Sequence, residues 1–184
     1  MAVHVLPFDE KLKEMAIEVM KNVRRQQYTP ETLCELQKIL EAKYFYWWSM
    51  DMKKEEYAVD LFVSEGFTYY NFGPHPKTGL DQARTSKFVN SFLCTMHMGH
   101  QPMIWLMSDT EARGIFQYED HHTYLDDGSQ VETWAIYVDD FVKGEDGVWR
   151  IKDLRMAFKK MEGAYKQTAV PEGWEPAEWD EWKA

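Results

Sequence analysis

The chain has 184 residues, 45% of them hydrophobic and 15% aromatic, with eight Trp and eleven Met. That length suits one domain with elaborated ends and a real core, and the aromatic and Met content suits a large apolar pocket or a subunit interface. A formal charge of −10 excludes the basic surface that nucleic acid or an anionic membrane would need, so neither is expected as a partner.

Cys34 and Cys94 stand in apolar stretches that read as helical, so they are expected to be reduced core thiols rather than a disulfide. The sequence has neither an apolar leader nor a long apolar run, which predicts a soluble, cytoplasmic protein.

In chain order, Phe8, Leu12, Met15, Ala16 and Val19 recur at helical spacing and predict a helix over 8–25. Thr29-Pro30-Glu31-Thr32 is a helix start, with Thr29 as N-cap and Pro30 in the first turn. That helix runs through Leu33, Leu36, Leu40 and Tyr44 to about Met50. A short helix follows near 53–62, then a break at Gly66 and a strand over 67–72. Residues 73–79 form a loop by their Gly and Pro content. Leu80 to Met96 reads as a fourth helix, with Phe88, Phe92 and Leu93 on one side. Strands are predicted over 103–108, 111–125, 131–142 and 148–158, with turns at Asp126-Asp127-Gly128-Ser129 and 143–147 joining the last three. Helices followed by antiparallel strands give an α+β class, a curved sheet with the helices on one face. Residues 1–28 are read as a helical extension and 29–165 as the domain. The acidic tail 166–184 carries Trp174, Trp179 and Trp182, fit to close a pocket or pack on a neighbour.

The most informative segment is Tyr118-Glu119-Asp120-His121-His122. Strand alternation puts Ala112, Gly114, Phe116, Tyr118, Asp120, His122 and Tyr124 on one apolar face and sends His121 to the other. A carboxylate and an imidazole on such a face need a reason, because unpaired buried polar groups are costly. His97, before Gly99, ends the fourth predicted helix, and Gly99 can supply the turn into the next strand. An imidazole there can move protons near neutral pH, or be a hydrogen-bonded structural histidine. Asp51, at a helix C-terminus where the dipole disfavours a carboxylate, is either a cap for the next helix or a functional acid. Tyr46 and Tyr70 offer phenol donors or ordinary core tyrosines. His97, His100, Asp120 and His122 have the residue types of a zinc or iron site but not a ligand spacing that supports one, so no metal is expected. His100 is then a surface or supporting residue.

The order helix, Asp-turn, strand, helix, His and curved sheet resembles the SnoaL-like part of the nuclear transport factor 2-like superfamily over roughly 30–160. It is most similar to two enzyme families there, the bile-acid 7α-dehydratases and the scytalone dehydratases. Met96-His97-Met98-Gly99-His100-Gln101-Pro102 is close to the His segment of the former, and Tyr46 and Asp120 fall on its site tyrosine and second aspartate. The His97-to-His122 and Asp51-to-Tyr70 intervals equal catalytic intervals of the latter. Met50 stands where scytalone dehydratase has a tyrosine, and Phe158 near the place of the bile-acid enzyme's arginine, with Arg155, Lys159 and Lys160 around it. The resemblance implies a cone-shaped α+β barrel, a dimer or trimer, and a cofactor-independent dehydratase of hydrophobic hydroxy-carbonyl compounds, steroid-like or aromatic. It implies His97, Asp51, Tyr46, Asp120 and His122 as the catalytic set. Tyr70, Phe116, Tyr118 and Trp48 would bind substrate. A ketosteroid-type isomerase fits the same residues. A non-catalytic binding or association domain predicts instead that His97, Asp51 or Asp120 is paired away from the pocket.

Overall fold

Two helices and six strands place the candidate residues. The structure, a computed structural model, describes residues 3–6, 9–70 and 86–164. In chain order they are β1 (Val3–Val5), α1 (Glu10–Val23), α2 (Pro30–Asp51), β2 (Thr68–Tyr70), β3 (Phe92–Leu106), β4 (Glu111–Tyr124), β5 (Gln130–Lys143) and β6 (Trp149–Gly163). Short 3-10 turns cover Glu55–Leu61 and Ser86–Ser91. The predicted loop 73–79, residues 80–85 of the fourth predicted helix and the Trp-rich tail lie outside the described residues.

Both helix starts follow from their caps. The Asp9 carboxylate accepts from the Leu12 amide at 3.0 Å, and Thr29 and Thr32 each accept from the other's backbone N–H at the head of α2. The sheet runs β1-β6-β5-β4-β3, antiparallel throughout, with β2 added parallel to β6. It is therefore a mixed sheet, curved and open, with β3 at one edge. Register shifts between His100 and Met103, at Trp134/Ala135 and at Asp140/Phe141 supply bulges that bend it.

The β4 alternation holds without a break: every second residue from Ala112 to Tyr124 is buried. The inner face of that strand packs with Ile39, Tyr46, Trp47 and Met50 of α2 and with Tyr137, Phe141, Ile151 and Leu154 into the main core. The helices do not share one face, however. Leu12 of α1 packs on Val138 and Ala157, whose side chains have the opposite parity, so α1 covers the other side of the sheet.

Residues 92–96 are strand rather than helix. Phe92 to Leu106 forms one long strand, so His97 sits mid-strand and not at a helix end. The Phe88/Phe92/Leu93 pattern that suggested a helix is short, and Phe92, Thr95 and Ile104 bury against the neighbouring strand instead. Cys94 on this edge strand and Cys34 on α2 are both free and exposed, which corrects the reading of them as core thiols. No helix among the described residues is long and apolar enough to cross a membrane.

Candidate active site

The C-terminal half of α2 lays Tyr44, Trp47, Trp48 and Asp51 along one helical face, against the edge strand β3. On β3 the alternation turns Thr95, His97 and Gly99 toward that face. Asp51 does not cap the following turn. It ends α2 with its carboxylate pointed at β3, where the dipole penalty is offset by three donors. Thr95 Oγ1 donates to Oδ1 at 3.0 Å, the His97 amide donates to Oδ2 at 3.0 Å, and His97 Nδ1 lies 2.5 Å from Oδ1. A carboxylate can only accept, so Nδ1 carries a proton, and in the neutral tautomer Nε2 is the acceptor. The His97 side chain is 7% exposed and Asp51 17%. Both line a cleft of about 570 Å³ whose other walls include Trp48, Met52, Met96 and Met98.

Behind His97 lies a second polar pair. Asp120 is its direct partner in the β3–β4 register, and the His122 ring centre is 5.2 Å from that of His97. Asp120 Oδ2 accepts from the Tyr118 hydroxyl at 3.0 Å. Its Oδ1 and the Nε2 of His122 are buried without a hydrogen-bond partner among the described residues. Burial pushes the His122 imidazole below its ordinary value, against the opposing pull of Asp120. Burial likewise raises the Tyr118 phenol well above its usual value, with the Asp120 charge adding to it.

The remaining predicted residues fall in different places. Trp48 stands 63% exposed at the cleft mouth. Tyr46 is buried on the core side of α2, edge-on to Phe62, and does not line the cleft. Phe116 and Tyr118 are covered by the Trp47 indole, at ring distances of 5.7 and 5.9 Å. Tyr70 lies on β2, and its side chain is outside the described residues. His100 is exposed and pairs with Glu119 at 3.3 Å, so it does not converge with His97 and His122. No group of three or more metal-type ligands converges among the described residues.

Sequence reading overlooked a fully buried ion pair. Lys43 Nζ and Asp139 Oδ2 are 2.7 Å apart, both side chains wholly buried, though neither atom meets hydrogen-bond angles. The contact is a charge pair more than a directed bond. Lys43 Nζ also sits 3.6 Å from the Tyr137 ring centre and 5.0 Å from those of Tyr46 and Trp47. Burial lowers the amine and raises the carboxyl, each opposed by the other's charge. The signal was available: Lys43 interrupts the inward stripe Ile39, Tyr46, Met50, and Asp139 continues the inward parity of Val131, Thr133, Ala135 and Tyr137.

Comparison with known proteins bears on the family and the fold. The model of the SnoaL-like domain matches residues 31–155. No curated protein matches. Among solved structures, a candidate scytalone dehydratase from Novosphingobium aromaticivorans superposes with a TM-score of 0.67 at 23% identity, over 78% of this chain and 97% of that one. A hexachlorocyclohexane dehydrochlorinase from Novosphingobium barchaimii gives 0.63 at 14% identity, over 76% and 97%. A candidate dehydratase of the NTF2-like family from Streptomyces avermitilis gives 0.59 at 12% identity, over 71% and 98%. At these identities the likeness concerns the fold. The chain belongs to the SnoaL-like domain family, with the NTF2-like α+β fold.

Proposed function

We propose that this protein is a cofactor-independent lyase, a dehydratase of hydrophobic aromatic or polycyclic hydroxy-carbonyl compounds. The observation that carries the reading is the Asp51–His97 pair, with Nδ1 held by the carboxylate beside an aromatic- and Met-lined cleft. The names of the structural neighbours, dehydratase and dehydrochlorinase, are those of eliminations, in which a base takes a proton and a neighbouring group leaves.

In this reaction His97 Nε2 removes a proton from the carbon next to the substrate carbonyl. Asp51 keeps the ring in that tautomer and steadies the imidazolium that forms. The electron pair moves into the carbonyl as an enolate, then returns to form the double bond as the β-hydroxyl departs. That hydroxyl takes a proton from imidazolium and leaves as water. Since burial keeps His122 neutral near pH 7, the proton just gained by His97 is the nearer supply. Asp120 and Tyr118 flank His97 and fix its surroundings.

A non-catalytic ligand-binding domain is the second reading, favoured by one observation: Asp120 turns to Tyr118 and does not line the cleft. The test is a thermal-shift screen of steroid, bile-acid and aromatic hydroxy-ketones on wild type and His97→Ala, with mass spectrometry of every stabilising compound. Loss of water with wild type alone supports the dehydratase. Stabilisation without loss of water in either protein supports the binding domain or a ketosteroid-type isomerase.

A further inference from the structure

One side chain belongs both to the aromatic core and to the lining of the cleft. The Trp47 indole is 3% exposed, stacked on Tyr118 at 5.9 Å and 23°, edge-on to Phe116 at 5.7 Å, and tilted on Tyr137 at 5.9 Å. Its other flank meets Tyr44 at 6.1 Å and 26°, and Trp47, Tyr44 and Gly99 all line the cleft. The ring is seated against Gly99 so closely that a Cβ there would lie 2.0 Å from its Cη2 and Cζ3. The Lys43 ammonium, paired with Asp139, lies over the ring at 5.0 Å.

We propose that Trp47 sets the depth of the ligand site, restricting this chain to short aromatic ketones that stop at the indole and excluding elongated ring systems that would enter end-on. Position 99 lacks a side chain because the indole needs that space. Removal of the indole would join the cleft to a chamber walled by Phe116, Tyr118 and Tyr137 with Lys43 at its floor. A longer polycyclic ketone could then be buried on aromatic faces, its polar end toward the ammonium. This rests on the reading of the cleft as the ligand site, but not on any turnover there.

The test is the ratio of affinities for two probes, 1-tetralone with two fused rings and testosterone with four, measured by calorimetry on wild type, Trp47→Ala and Trp47→Phe. The expected result is a shift of the ratio toward testosterone by about tenfold or more in Trp47→Ala, the scale of a resized apolar pocket. Trp47→Phe should shift it the same way by about threefold, and decides the matter if the alanine variant does not fold. Added indole should move Trp47→Ala back toward the wild-type ratio. An unchanged ratio, or no testosterone binding by either variant, overturns the proposal. A ratio that shifts as expected, with no water loss from any β-hydroxy-ketone of the thermal-shift screen, would sink the dehydratase and leave the depth-setting role of Trp47 standing.

Discussion

Asp51 and His97 meet where a helix C-terminus faces an edge strand, with Nδ1 2.5 Å from Oδ1 and the His97 amide donating to the other carboxylate oxygen at 3.0 Å. One carboxylate thus fixes both the ring and the backbone of the same residue. Asp51→Asn replaces a pure acceptor with a group that also donates. It should lower turnover by about 10²-fold or more, the scale of general acid–base catalysis. Stability should fall by about 1–3 kcal/mol. Rates of water loss and urea denaturation on the same preparation check both.

The Lys43–Asp139 pair makes a strong stability prediction. Lys43→Met leaves a carboxylate wholly buried without its partner and should cost about 3–5 kcal/mol. Lys43→Met combined with Asp139→Leu removes both charges and should recover most of that loss. Chemical denaturation of the single and double variants measures the difference.

Gly99 and Trp47 should couple. Gly99→Ala forces the indole to move and should destabilise by roughly 1–3 kcal/mol. In a Trp47→Ala background the same change should cost little. A double-mutant cycle in urea reads this directly.

His122 predicts an acid-side loss of stability. Burial holds its folded-state pKa below the ordinary 6.5, so the unfolded chain takes up the proton first as pH falls. Its contribution is complete above about pH 6.5 and is lost as pH drops through the folded-state value. His122→Phe keeps a ring against Phe92 and should flatten this part of the stability–pH curve between pH 7.5 and 5.

Much of this was legible in the sequence. The β4 parity read correctly to the last residue, because one buried face forces strict alternation. The cap at Thr29 and the end of α2 near Asp51 were equally direct. His97 was found as a residue but misplaced as structure. Its stretch carries helix-compatible residues, and only pairing with β4, a long-range contact, makes it strand. Trp47 was overlooked beside Trp48. Both are apolar neighbours on one helix, and which of them turns inward depends on Gly99 across the seam.

The most direct test compares water loss from the best-bound hydroxy-ketone by wild type and His97→Gln at saturating ligand. The account predicts that His97→Gln still binds the ketone while its rate falls by about 10²-fold or more. Water loss by His97→Gln at the wild-type rate would contradict it.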